Sequence, residues 1–207
     1  MSSAPVTAPV LLTGFALIGL LVAERLNNHR SRLVFKTLAS LGFIWSAVGG
    51  GLPTSLPGSL ILVGLCLSFV GDVLLVFENR FLVGLMAFAA AHLAYAASFM
   101  FTAVNLPVVV PVTAIAVVAF LAARRWLLRR VSSPLQHPVL GYMLIISFML
   151  VAAAGSSNHV MYAGAALFYL SDLAVARHRF VAPGLENKLI GLPLYYAGQL
   201  ILASTVN

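Results

Sequence analysis

Long apolar segments separated by short polar connections fill almost the whole chain. Each segment has about 17–21 residues, close to the length that an α-helix needs to cross the hydrocarbon core of a bilayer. The segments are predicted at residues 8–24, 34–52, 59–77, 81–101, 106–123, 139–155, 160–176 and 189–205. Only 8% of the residues are charged, whereas a water-facing surface requires about 25%. The sequence therefore predicts an all-α, polytopic integral membrane protein with eight transmembrane helices.

The basic residues all fall on one side of the predicted bundle, in its first, third, fifth and seventh connections. They are Arg25, Arg30, Arg32, Lys36, Arg80, Arg124, Arg125, Arg129, Arg130, Arg177, Arg179 and Lys188. Basic residues that flank membrane helices stay in the cytoplasm, so we expect both termini outside, in a bacterial inner membrane. Residues 1–7 contain no Lys or Arg, which predicts a retained first helix. The net charge of +7 thus indicates orientation and contact with anionic lipids, not nucleic-acid binding.

The second half of the sequence repeats features of the first half. The third and seventh segments align so that Asp72 corresponds to Asp172, and the fourth and eighth align so that His92 corresponds to Gln199. Because four helices per copy is an even number, both copies share one orientation, and a pseudo-two-fold axis along the membrane normal is expected. The halves are predicted at residues 8–101 and 106–205, within a single membrane domain of residues 1–207.

Two acidic residues are predicted inside the membrane. Asp72 and Asp172 each lie about five residues, or about 8 Å, from the basic end of their helix. An ionisable group at that depth is costly unless it faces the bundle interior, a wet cavity or a partner. Two such groups at equivalent repeat positions predict one shared site near the axis. His92 is predicted near mid-membrane, on the helix that follows Asp72.

Four motifs occur in order along the chain: Gly71–Leu75 (preceded by Gly64), Ala91–Tyr95, Gly164–Asp172 and Tyr195–Leu200. Together they resemble the YhhN-like family, the lysoplasmalogenase family of small membrane proteins with eight helices. The resemblance runs over residues 34–204. One departure is that Lys36-Thr37-Leu38 stands where that family often has Lys-Pro-Leu.

The resemblance implies hydrolysis of the vinyl ether bond of a lysoplasmalogen, which yields a fatty aldehyde and glycerophosphoethanolamine or glycerophosphocholine. The expected partners are this lyso-ether phospholipid and membrane lipids, with no cofactor and no bound metal. Two neighbouring carboxyl groups favour a state with one protonated and one ionised, so Asp72 and Asp172 are the candidate acid and base, and His92 is the third catalytic candidate. The candidate substrate-binding residues are Lys36, Ser68, Tyr195, Tyr196 and Gln199. Arg80 and Arg177 are further candidates to contact the phosphate.

Two other interpretations fit the same residues. In one, Asp72, His92 and Asp172 hold a divalent ion in a metal-assisted lipid hydrolase, although the sequence has no tight His or Cys ligand spacing. In the other, the chain is a small transporter or lipid-binding protein with a paired-aspartate site, since duplicated halves and intramembrane acids are typical of transporters.

Overall fold

The computed structural model describes residues 7–127 and 129–207, and eight α-helices account for most of this part of the chain. They are α1 (Thr7–Arg25), α2 (His29–Val48), α3 (Leu56–Leu74), α4 (Phe81–Phe99), α5 (Leu106–Leu127), α6 (Ser133–Gly155), α7 (His159–Phe180) and α8 (Leu185–Ala203). A short 3₁₀ turn at Glu78–Arg80 precedes α4. Residues 1–6, which were expected outside the membrane, lie outside the described residues.

Six of these helices are long and apolar enough to cross a membrane: α1, α3, α4 with its preceding turn, α5, α6 and α7. Helices α2 and α8 are less apolar because charged and polar residues occupy their first turns. Large apolar side chains such as Phe15, Val118 and Ile190 are exposed on the outside of the bundle. A surface of this kind is stable against lipid rather than water.

Several predicted helix ends were wrong by three to six residues. Helix α2 begins at His29 instead of 34, because the side chain of Asn28 caps it by accepting a hydrogen bond from the amide of Ser31. Helix α6 begins at Ser133 instead of 139, so Pro138 lies inside it. Helix α3 ends at Leu74 instead of 77, which puts Asp72 in its last turn.

Successive helices pack as antiparallel pairs, with α3 against α4 and α7 against α8 among the most extensive contacts. Glycines allow the close approach in both pairs. A Cβ atom on Gly64 of α3 would lie 2.3 Å from the ring of Tyr95 in α4. A Cβ atom on Gly164 of α7 would lie 2.8 Å from Leu202 in α8. Small residues at membrane helix interfaces permit this backbone proximity.

The connections between the helices lie at two opposite ends of the bundle. One end carries the connections α1–α2, α3–α4, α5–α6 and α7–α8, where the Lys and Arg residues are concentrated. At the opposite end the connections join one another through hydrogen bonds, such as the one that Ser157 donates to the carbonyl of Ala103. Helix α5 packs chiefly on α6 and lies at the edge of the bundle.

We expect Gly64→Ala to destabilise the protein by about 1–3 kcal/mol, because the added methyl group would overlap a fully buried tyrosine ring. Gly14→Ala is the matched control, since Gly14 is also helical but has no atom near the position of its missing Cβ. The control should be neutral or slightly stabilising. Unfolding of both variants in detergent, followed by circular dichroism, measures the difference, and equal stabilities would contradict this packing.

Candidate active site

A cavity of about 750 Å³ opens at the basic end of the bundle, and all eight helices contribute to its lining. Asp72 and Asp172 both line it. Phe88, Phe168 and Tyr195 contribute aromatic side chains to its lining, about two to three helical turns from the basic ends of their helices. The volume is within the range of small-molecule sites. The structure thus brings the two intramembrane aspartates to a single cavity with an apolar floor.

Asp72 is almost fully buried, with 2% of its surface exposed. The hydroxyls of Ser40 and Tyr195 each donate to its Oδ2 at 2.6 Å. The ammonium of Lys36 lies 3.3 Å from its Oδ1. Because Lys36 and Ser40 are four residues apart, they share one face of α2. Three donors around one carboxyl group match the acceptor capacity of the ionised form.

Asp172 has a different set of partners. Tyr142 of α6 donates its hydroxyl to Oδ2 at 3.1 Å. His92 of α4 places its Nε2 atom 3.3 Å from the same oxygen. This contact has the distance of an ion pair without the alignment of a good hydrogen bond. The Asp172 side chain is 11% exposed, towards the cavity that it lines, whereas the histidine is fully buried behind it.

The second ring nitrogen of His92 constrains the protonation of the pair. Its Nδ1 atom lies 2.6 Å from the backbone carbonyl oxygen of Phe88, one turn earlier in α4. A carbonyl only accepts hydrogen bonds, so we infer that Nδ1 carries a hydrogen. Nε2 then faces Asp172 either with its lone pair, when the imidazole is neutral, or with an N–H group, when the imidazole is protonated.

The ring of Phe168 contacts the partners of both aspartates. Its centroid lies 4.4 Å from that of His92 and 5.1 Å from that of Tyr195. Phe88 packs edge-on against it with the centroids 6.0 Å apart. Edge-to-face contacts of this kind fix ring orientation. The two carboxyl groups therefore bind separate sets of donors around one shared aromatic residue.

Three predicted substrate-binding residues, Ser68, Tyr196 and Gln199, are not among the residues that line the cavity. The hydroxyl of Tyr95 donates to Gln199 Oε1 at 2.8 Å, and Ser68 Oγ lies 3.4 Å from the same hydroxyl. Tyr196 donates to the backbone carbonyl of Lys36 at 3.4 Å. These contacts join α3, α4 and α8 and join α8 to α2. The other two candidates line the cavity and contact Asp72.

The predicted phosphate contacts also differ in their placement. Arg80 and Arg177 are not among the lining residues. Arg177 donates to Asn187 at 2.5 Å and to Glu186 at 3.3 Å. Lys36 does line the cavity, but its ammonium faces Asp72. Lys36 and Arg177, two of these three cations, are therefore already paired with acidic side chains of the protein.

Sequence reasoning missed two hydroxyl donors, Ser40 and Tyr142. The sequence could have indicated Ser40, because it lies one turn after Lys36 on the same helix face. It indicates Tyr142 less clearly. This residue is a tyrosine within an apolar segment, where a buried phenol usually needs a hydrogen-bond partner.

Among residues 7–127 and 129–207, no three His, Cys, Asp or Glu side chains converge to hold a metal ion. His92 contacts Asp172, whereas Asp72 binds an ammonium and two hydroxyls. The ligand set considered for a metal-assisted hydrolase is therefore divided between two clusters.

Comparison with known proteins identifies the family. Residues 31–206 match the sequence profile of the YhhN family. The chain belongs to this family. The match covers both aspartates and all of their hydrogen-bonding and ion-pair partners.

Curated relatives carry the name lysoplasmalogenase. Lysoplasmalogenase TMEM86B of Sus scrofa is 34% identical over 162 residues, which cover 77% of this chain and 66% of the relative. TMEM86B of Homo sapiens is 33% identical over 169 residues, or 80% and 69%. Lysoplasmalogenase TMEM86A of Bos taurus is 28% identical over 166 residues, or 74% and 68%. The chain spans about two thirds of the length of these relatives. No solved structure matches the chain.

We expect Lys36→Met to destabilise the protein by about 3 kcal/mol, because it leaves the buried carboxylate of Asp72 without its cation. The double variant Lys36→Met/Asp72→Asn should recover most of this loss. Arg30→Met, at an exposed position of the same helix, is the control and should have little effect. Unfolding in detergent provides the double-mutant cycle, and additive losses would contradict the pairing.

Proposed function

We propose that this chain is a membrane-embedded hydrolase that cleaves the vinyl ether bond of a lysoplasmalogen. The products are a fatty aldehyde and glycerophosphoethanolamine or glycerophosphocholine. Membership of the YhhN family and the lysoplasmalogenase names of its relatives support the reaction class. The observation that carries the proposal is the cavity lined by a histidine-paired carboxyl group, Asp172, and by a carboxyl group surrounded by donors, Asp72.

The chemistry needs an acid, an anion and water. A proton adds to the alkene carbon remote from the ether oxygen and leaves an oxocarbenium ion. Water then adds to this cation and loses a proton, which gives a hemiacetal. The hemiacetal collapses to an aldehyde and the free hydroxyl of the glycerol unit. One water is consumed, so the enzyme must donate one proton to carbon, accept one from the attacking water, and reverse both transfers as the hemiacetal collapses.

Asp172 is the proposed proton donor. It lines the cavity, and Nε2 of His92 faces its carboxyl group. In the proposed resting state the imidazole is neutral, with its hydrogen on Nδ1, and the carboxyl group carries the proton that it delivers to the alkene. The resulting carboxylate takes a proton back from the hydroxyl of the hemiacetal as this collapses, while Asp72 gives a proton to the glycerol oxygen. Tyr142 donates to Oδ2 of Asp172 and fixes the orientation of the carboxyl group.

Asp72 is the proposed anion. Its ammonium and hydroxyl donors favour the ionised form, in which it attracts the developing oxocarbenium ion. The same carboxylate can accept the proton that the attacking water loses. Tyr195 binds Asp72 and packs on Phe168, so it holds this carboxylate at the edge of the aromatic floor.

The same proposal includes the membrane arrangement. We infer eight spans in two four-helix halves about an axis along the membrane normal, with the basic end in the cytoplasm of a bacterial inner membrane. The partners of the aspartates support the repeat. Asp72 takes two donors from α2 and one from α8, and Asp172 takes its partners from α6 and α4. Each aspartate thus contacts the second helix of its own half and the fourth helix of the other half.

The test is release of fatty aldehyde from lysoplasmenylethanolamine by the detergent-purified protein. We expect Asp72→Asn and Asp172→Asn each to lower kcat by at least about 100-fold, the factor typical of lost acid–base catalysis. Glu186→Gln is the matched control, because that acid is exposed and pairs with Arg177 outside the cavity lining. Mass spectrometry measures the aldehyde, and circular dichroism checks that each variant folds.

Three outcomes separate the alternatives. Near-normal activity in either aspartate variant would contradict the acid–base roles. Activity that a chelator removes and a divalent ion restores would favour the metal-assisted hydrolase. If the unchanged protein releases no aldehyde and leaves ester lyso-lipids intact, the hydrolase proposal fails and a transport assay becomes the next step.

A further inference from the structure

A cluster of three charged side chains lies at the mouth of the cavity, outside the site of the two aspartates. Glu24 of α1, Arg32 of α2 and Lys188 of α8 all line the cavity. Oε2 of Glu24 lies 2.5 Å from the ammonium of Lys188 and 3.6 Å from Nη1 of Arg32. The side chains of Glu24, Arg32 and Lys188 are only 12%, 22% and 26% exposed. Most other basic residues at the same end, such as Arg30 and Arg80, are exposed.

The cluster has unused hydrogen-bonding capacity. Both cations approach one oxygen of Glu24, and within the described residues the other oxygen, Oε1, accepts no hydrogen bond. Arg32 has five N–H donors, of which one on Nη2 binds Asn27. Its Nε has no acceptor among the residues that the structure describes. One carboxylate oxygen and several cationic donors are therefore available side by side.

The cavity as a whole is balanced in charge. Its lining contains four acidic and four basic residues: Glu24, Asp72, Glu78 and Asp172, and Arg32, Lys36, Arg179 and Lys188. A purely anionic ligand would leave the acids of such a cavity uncompensated, whereas a ligand with both charges can match both signs. The charge pattern therefore favours a zwitterion.

We propose that Glu24, Arg32 and Lys188 form the subsite for a zwitterionic phosphoethanolamine-type head group. Arg32 and Lys188 bind the phosphate, since the guanidinium fork suits two phosphate oxygens. Oε1 of Glu24 accepts hydrogen bonds from the primary ammonium. A quaternary choline ammonium has no N–H groups, so Glu24 attracts it only by charge. The assignment rests on the proposed function, in that the lipid chain occupies the same cavity.

The depth of the cluster fits a lyso-lipid whose reactive bond reaches the aspartates. Arg32 lies one turn before Lys36 on α2, a rise of about 6 Å. Lys36 in turn contacts Asp72. A phosphate at Arg32 therefore places the three-carbon glycerol unit along Lys36 and directs the ether oxygen towards the carboxyl groups.

The experiment compares three vinyl ether substrates that differ only in their head groups: phosphoethanolamine, phosphocholine and a bare phosphate. For Glu24→Gln we expect KM to rise about tenfold for the ethanolamine substrate, the scale of one charge-assisted hydrogen bond. The rise should be smaller for choline and absent for the bare phosphate, with kcat unchanged. Arg32→Gln should raise KM for all three. Glu78→Gln is the matched control, because this exposed acid lines the same cavity and makes no ion pair among the described residues.

Unchanged KM values in Glu24→Gln, or an equal rise for all three substrates, would overturn the subsite. Glu24→Asp, which retains the charge, covers the case in which the glutamine variant does not fold. It should keep the preference for ethanolamine over bare phosphate.

Binding measured by native mass spectrometry separates this proposal from the catalytic one. The probes are lysophosphatidylethanolamine and lysophosphatidic acid, which have no vinyl ether bond. If the unchanged protein prefers the first probe and Glu24→Gln loses that preference, the head-group subsite stands even without aldehyde release. If aldehyde is released but neither KM nor binding discriminates between head groups, only the subsite fails.

Discussion

A carboxylate inside a membrane-spanning bundle is stable only where donors replace the water that it has lost. Asp72 and Asp172 impose this requirement on the whole structure, because each draws partners from two other helices. Helices α2 and α8 are not among the six that are long and apolar enough to cross a membrane, and they supply the donors to Asp72. Their polar residues lower their affinity for lipid but give them contacts inside the bundle. The position of these two helices is thus explained by electrostatics more than by hydropathy.

The polar interior is divided into two layers with different roles. The upper layer surrounds the cavity, which both aspartates line. The lower layer, formed by Ser68, Tyr95 and Gln199, is fully buried and joins three helices by hydrogen bonds between side chains. Phe168 lies at the boundary between them. Hydrogen bonds in the lower layer fix the positions of the helices that carry the upper layer, and proton transfer depends on side chains that keep their orientation.

Much of this arrangement could be predicted from the sequence, and the failures have physical causes. Apolar length predicted eight helices, and the cost of burying charge singled out Asp72 and Asp172. The start of α6 was placed too late, at 139, whereas Pro134 stands in its first turn, where a helix tolerates proline, and Pro138 lies inside it. The hydroxyl of Tyr142 could not be paired with Asp172, because helix periodicity describes one helix at a time. Gln199 was assigned to substrate binding from its repeat position, and only the packing reveals that Tyr95 occupies its oxygen.

The cavity opens at the basic end of the bundle, and this position determines where protons can enter and leave it. Its lining comes from the basic ends of the helices, and beneath Phe168 the bundle is filled by fully buried side chains such as Tyr95 and Phe99. In the proposed mechanism, the protons that the aspartates exchange with water pass through this opening at the basic end. A cycle of this kind moves no net charge across the bilayer. The transmembrane voltage, which does work on the acidic residues of ion pumps, would do no net work on it.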